Sequence, residues 1–376
     1  MDDNINAPDL EAVAQDPEGV DETRSVGWGD YPLDSVFVRS EQRTVGEVVR
    51  RIRADRYDLS PDFQREFLWP LEKQSRLIES CLMRLPLPVF YVAEAPDGRI
   101  VVVDGLQRLT TFKRFLDNEF RLQFPQRDEE IVRHNPLSGK RFEDLQINLQ
   151  ERIEDTQLTL YVLDAKAPER AKLDIFERVN SGEPLTRQQM RNCLYNGHAT
   201  AWLREAAESD GFQAATGSSL DRKKMRDREA INRFCAFKLS GWDSYKSGDM
   251  DTFLAQALGQ MNSMSELSLA SLRQSFDRSM INNFELFGRH AFRKSLCQPE
   301  GSRSVLNIAL FDVCSTILSN FDHDQIVRVA DKIRAALQEL IGDDVFAHAV
   351  TYATNGTKQV RARFQMAELG IRKAMN

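Results

Sequence analysis

The run Ile100-Val101-Val102-Val103-Asp104-Gly105-Leu106-Gln107-Arg108-Leu109-Thr110-Thr111 constrains the fold more than any other stretch of this chain. Its β-branched residues predict a buried strand, because such side chains pack well on a pleated sheet. Leu106, Leu109, Phe112 and Leu116 then recur at helical spacing, so a helix is expected just after Gly105. A strand that feeds a helix through Asp-Gly aims free backbone N–H groups, and the positive end of the helix dipole, at one point. Arg108 and Thr111 are read as lying off the apolar stripe near that end, where with those amides they would form a phosphate cradle. A plainer reading fits the same residues: Asp104 as helix cap, Gly105 as turn residue and Arg108 as a solvated charge.

A second cluster weighs against the plain reading, and a third is, taken alone, turn chemistry. Residues 59–70 combine Phe63, Phe67 and Trp69 with Gln64 and Arg65, aromatic surface beside donors of fixed geometry, which suits a nucleobase next to phosphate. Phe67 and Trp69 are read first as core. Pro70 is expected to open a helix reaching about Leu85, burying Leu77, Ile78, Cys81, Leu82 and Leu85. In residues 176–186, Asn180-Ser181-Gly182 stops one helix, Thr186 with Gln189 reads as a capping box for the next, and the break exposes Arg178 and Asn180.

In order and character the three clusters resemble the N-terminal-domain family of GmrS/GmrD-type restriction systems, whose fold is ParB/sulfiredoxin-like. The matching residues are Pro61, Phe63, Gln64, Arg65 and Trp69; then Asp104, Gly105, Gln107, Arg108, Thr110 and Thr111; then Arg178, Asn180, Ser181, Gly182, Pro184 and Leu185. Leu106 replaces a Gln of the family pattern and falls on the inferred apolar face, while Glu183 replaces a common Gly and adds negative charge at its turn. The resemblance implies nucleotide binding and NTP hydrolysis in a prokaryotic defence system against foreign DNA. It also implies an HNH nuclease, fused or separately encoded, as effector. No His-Asn-His cluster occurs here, since His134, His198, His290, His323 and His348 are scattered. On this basis Asp104, Gln107 and Arg108 are the expected catalytic residues. Gln64, Arg65, Gly105, Thr110, Thr111, Arg178 and Asn180 are the expected nucleotide contacts, and Asp104 the expected ligand of Mg²⁺. A nuclease in its own right and a non-catalytic nucleotide- or DNA-sensing module are the alternatives.

The expected architecture is α+β: an acidic, disordered tail over residues 1–34, a ParB-like nucleotide-binding domain over 35–165 and a mainly helical domain over 166–376. At 376 residues and 41% hydrophobic, the chain can bury a core large enough for two domains. Residues 1–24 hold eight acids against Arg24, a net −7 that equals the formal charge of the whole chain. Ser35–Val38 reads as a strand, Thr44 as the cap of a helix to about Arg53, and Pro96-Asp97-Gly98 as a hairpin turn between two strands. Gln123–Asp155 reads as a polar insertion with little core, and Leu158–Leu163 as a further strand. Five cysteines (81, 193, 235, 297 and 314) are odd in number and widely spaced, which argues against a disulfide framework or a zinc site and for a reduced cytoplasm. Cys81, Cys193 and Cys235 are expected as small core residues. No run is long enough to span a membrane, and no secretory signal opens the sequence.

Two basic segments remain. Arg222, Lys223, Lys224 and Arg226 are candidate nucleic-acid contacts, although Asp221, Asp227 and Glu229 between them also suit a salt-bridged face. Lys358, Arg361 and Arg363 form a second basic turn, read either as an ordinary helix start or as a lid over nucleotide.

Overall fold

The computed structural model describes residues 17–19, 38–59, 69–95, 97–124, 135–167, 169–179, 185–297 and 300–376. It divides into two compact units, residues 25–196 and residues 197–376 with 1–24. The chain is mixed α+β, with the sheet in the first unit and the second unit helical.

Five strands order as β1-β5-β3-β4-β2: β1 (Val38–Thr44), β2 (Tyr57–Asp58), β3 (Phe90–Glu94), β4 (Ile100–Asp104) and β5 (Gln157–Leu163). β1 runs antiparallel to β5 and β3 antiparallel to β4, whereas the β3–β5 and β2–β4 pairs are parallel. The unbroken apolar run of β4 reflects burial on both faces. Ile100 and Val102 join the core beneath α1 (Val45–Arg53), α2 (Leu71–Leu82), α3 (Leu106–Leu116) and α4 (Ile147–Glu154). Val101 and Val103 join the opposite core, with Leu173 and Phe176 of α5 (Glu169–Val179) and Met190 and Cys193 of α6 (Arg187–Leu194). Because α5 and α6 cover one face of the sheet, the unit runs on to Asn196, beyond the break expected near residue 165.

Local signals set the element ends. Thr44 Oγ1 accepts from the Glu47 amide at 3.1 Å and caps α1. Thr186 and Gln189 form the expected capping box of α6. Gly98, at φ +77°, turns β3 into β4. Two expectations need correction. Helix α2 stops at Leu82, and Leu85 is exposed, because Arg84 takes a left-handed φ of +57° and turns the chain out. The stretch read as a polar insertion contributes real core: Leu145 and Ile153 are buried, and α4 packs on α1 and α2.

The helical unit closes around edge-on and tilted aromatic pairs, with Phe234–Phe276 centroids 5.1 Å apart and Phe237–Phe364 4.8 Å apart. It also buries charge. Asp312 accepts from Arg233 at 2.7 and 2.8 Å and from Arg363 at 2.8 Å, all three fully enclosed. Arg363 therefore faces inward, and of the second basic turn it is not a lid residue. Residues 17–19 are ordered against this unit, which corrects the disordered-tail expectation for those three. The Glu18 amide donates to the Leu306 carbonyl at 2.8 Å, Ile308 donates back at 2.9 Å, and Thr354 Oγ1 donates to the Gly19 carbonyl at 2.6 Å. The rest of residues 1–37 lies outside the described residues. Cys81, Cys193, Cys235 and Cys314 are buried, and among the described residues no helix is long and apolar enough to cross a membrane.

Candidate functional site

The β4–α3 junction is built on one glycine. Gly105 sits at φ +98°, and a Cβ there would lie 2.3 Å from Cδ1 and 2.9 Å from Cε1 of Phe90. Only glycine allows both that backbone and that approach. The turn delivers the chain directly into α3, whose first-turn amides have no intrahelical acceptor and point toward the end of β4. Asp104 stands at the lip, its carboxylate 41% exposed, and accepts from Arg108 Nη2 at 2.9 Å.

Arg108 and Thr111 are placed differently from the sequence expectation. Arg108 is only 8% exposed. Its guanidinium donates to the carbonyls of Pro88 and Val89, the latter at 3.1 Å, and stacks 4.2 Å over the Phe90 ring. A buried cation is tolerable only with such partners. Burial lowers its pKa below the ordinary guanidinium value, and the Asp104 carboxylate opposes that shift. Arg108 thus ties the α3 start to the β3 entry and holds Asp104. Thr111 is also buried, its hydroxyl donating to the Gln107 carbonyl at 2.7 Å. Gln107 and Thr110 remain half-buried on the more open side of α3.

The first two sequence clusters meet here. The Trp69 amide donates to Gln107 Oε1 at 3.1 Å, which pins residue 69 on α3. Gln74 holds the Trp69 carbonyl and accepts from Arg114 at 3.0 Å, while Lys73 sits 4.1 Å over the half-buried Trp69 ring. β2 and β4 run parallel, with Asp58 in register with Val101, so both strands lead out in the same direction. Gln64, Arg65 and Asn180 lie outside the described residues, as does the side chain of Arg178. Phe176 of the third cluster, with Met190 and Cys193 beyond it, shares a core with Val103 on the opposite face of the sheet, and Asn196 donates to Asp58 at 2.7 Å.

A polar stripe on α6 escaped sequence reading. Gln188, Arg191 and Asn192 are all nine-tenths or more buried and linked, Gln188 donating to Asn192 at 3.0 Å and Arg191 to Gln188 at 3.1 Å. The Asn192 amide nitrogen has no hydrogen-bond partner among the described residues. The signal was available: once Thr186 fixes the helix start, residues 188, 191 and 192 fall on one face. Asp174 is likewise buried, receiving Arg187 at 2.9 Å.

The basic run of the helical unit is only partly a surface. Arg222, Lys223 and Lys224 are exposed, but Arg226 is buried and donates to Glu229 at 2.9 Å, so it is not a nucleic-acid contact. Burial raises the Asp227 carboxyl above its ordinary pKa. Among the described residues no three His, Cys, Asp or Glu side chains group as a metal cage.

Residues 45–196 match the family model described as the GmrSD restriction endonuclease, N-terminal domain. The match ends at Asn196, where the sheet unit ends. No curated protein and no solved structure gives a significant match.

Proposed function

Starting from a chain whose residues 45–196 carry a GmrSD-type N-terminal domain, we propose that it is the NTP-binding and NTP-hydrolysing component of a prokaryotic restriction or anti-phage system, directing a separately encoded nuclease to foreign DNA. The single observation that supports this reading is the Gly105 turn. It presents the α3 amides and the Asp104 carboxylate at one edge of a sheet, with the Trp69 segment pinned beside them. A ParB/sulfiredoxin-like ancestry of the sheet unit and a cytoplasmic setting, in keeping with its odd number of widely spaced cysteines, belong to the same proposal.

In this reading the amides after Gly105 hold phosphate oxygens, aided by the helix dipole. Gln107 and Thr110 orient the phosphate tail from the open side of α3. Thr111 supports them by fixing the carbonyl of Gln107, and Arg108 is a positioning residue that clamps Asp104 and the turn. Gln64, Arg65, Arg178 and Asn180 supply the base and the outer phosphate contacts, as the family pattern implies. Asp104 orients the attacking water. The site fits Mg²⁺ arriving with the nucleotide rather than a resident ion, because a lone half-exposed carboxylate suits a cation that keeps waters and phosphates as its other ligands. Such an ion would offset phosphate charge.

The test is nucleotide binding followed calorimetrically for wild type, Gln107→Ala and Asp104→Asn. Wild type is expected to bind at least one NTP, with Gln107→Ala weakened at least tenfold. Equal affinity in Gln107→Ala would remove α3 from the site, and plasmid cleavage by the purified chain alone would favour the nuclease alternative.

A further inference from the structure

Both polar backbone groups of Trp69 are held by side-chain amides, one from each of two helices. Its N–H donates to Gln107 Oε1 of α3 at 3.1 Å, and its carbonyl accepts from Gln74 Nε2 of α2 at 2.5 Å. Gln74 Oε1 in turn accepts from Arg114 Nη1 at 3.0 Å. The bonds that leave α3 at Gln107 therefore return to it about two turns later. These partners fix which way each amide points. A backbone N–H and a guanidinium only donate, and a backbone carbonyl only accepts, so neither glutamine can flip without losing its bonds. Gln107 is thereby set with Oε1 toward Trp69 and its Nε2 donors turned the other way. Its backbone carbonyl is held as well, by Thr111 Oγ1 at 2.7 Å. Gln74 is 2% exposed and lies on the face of α2 that carries Leu77, Ile78 and Cys81. An apolar side chain would pack there without the desolvation cost of an amide. Both ends of the Gln74 amide instead join α2 to α3 around the Trp69 backbone.

We propose that Gln74 is a positioning residue for the α3 site: through Trp69 it sets the Gln107 side chain so that Nε2 donates to a phosphate oxygen of the bound nucleotide. This role rests on the nucleotide reading of the α3 site. Amide donors suit an anionic oxygen, whereas a divalent ion would need the amide oxygen, which faces Trp69. Gln74 meets the ligand only through Gln107.

The experiment uses the full chain, with Gln74→Met, Gln107→Ala, their double variant, and Gln74→Glu. The last keeps an acceptor for Arg114 but cannot donate to the Trp69 carbonyl. Exchange of the Trp69 backbone amide is followed by NMR in protein isotope-labelled at its four tryptophans, and affinity for ATP, GTP, CTP and UTP by calorimetry. In both Gln74 variants the Trp69 amide is expected to exchange about tenfold faster, and the NTP to bind about fivefold more weakly, with a cooperative unfolding transition retained. The double variant is expected to bind within about twofold of Gln107→Ala, whereas independent effects would multiply to a loss of about 50-fold. Unchanged Trp69 exchange, unchanged affinity in the Gln74 variants, or effects that multiply would overturn the role of Gln74 while leaving the α3 site in place. Gln107→Ala that binds as wild type does, or wild type that binds none of the four nucleotides, removes the site and this role with it.

Discussion

Substituting Gly105 by Ala tests the core of the structural argument. Two costs add. An L-residue in the left-handed region costs about 1–2 kcal/mol. Forcing a methyl into a packed core costs about 1–3 kcal/mol more, and here the methyl would sit 2.3 Å from Cδ1 of Phe90. The ring has no easy retreat, since Phe90 is fully buried and Arg108 stacks 4.2 Å from its centre. The total, about 2–5 kcal/mol, corresponds to a fall of about 5–15 °C in the melting temperature of a unit this size. Gly98→Ala supplies the control. Gly98 has a similar φ of +77° but nothing within 4 Å of its would-be Cβ, so it carries the backbone cost alone. Scanning calorimetry of both variants should therefore separate them by at least about 1 kcal/mol, with Gly105→Ala the less stable. Equal destabilisation would refute the close Phe90 approach and, with it, the geometry of the turn.

Three other perturbations follow from buried charge. Arg108→Met leaves the Pro88 and Val89 carbonyls without their donor and should cost about 2–4 kcal/mol in urea titration; a loss below about 0.5 kcal/mol would make Arg108 a surface residue. Asp312→Asn leaves two enclosed guanidiniums facing a neutral amide and should destabilise the helical unit by about 3–5 kcal/mol, read from its calorimetric transition. Asp227 gives a pH dependence. Because burial raises its folded-state pKa, the folded state holds the proton longer than the unfolded chain does. Stability is therefore greatest below the unfolded carboxyl pKa and is lost as pH rises through the folded one. Asp227→Asn should flatten that slope in urea midpoints measured from pH 3.5 to 7, and an unchanged slope would count against burial as the cause.

What the sequence made legible follows from the range of each signal. The strand Ile100–Asp104, the turn at Gly105, the Thr44 cap and the Thr186–Gln189 box depend on neighbours within four residues, and all stand as read. The burial of Arg108 was not legible, because its acceptors lie at Pro88 and Val89, about 20 residues away, and a charge at a helix start normally faces water. The same holds for Arg363, whose partner Asp312 is 51 residues distant. Leu145, Leu149 and Ile153 recur at helical spacing, but they sit in a stretch dense in charged and polar residues, and what they cover is supplied by α1 and α2 from elsewhere in the chain. At the candidate site, Trp69 meets Gln107 across 38 residues of sequence, a contact that no local pattern encodes.

The measurement that bears most directly on the account is phosphate release by the purified chain with ATP, GTP, CTP and UTP in the presence of Mg²⁺, for wild type and Asp104→Asn. The account predicts turnover of at least one nucleotide by wild type and its loss in Asp104→Asn, which keeps a cooperative unfolding transition. Wild-type protein that neither releases phosphate nor is stabilised by any of the four would contradict it.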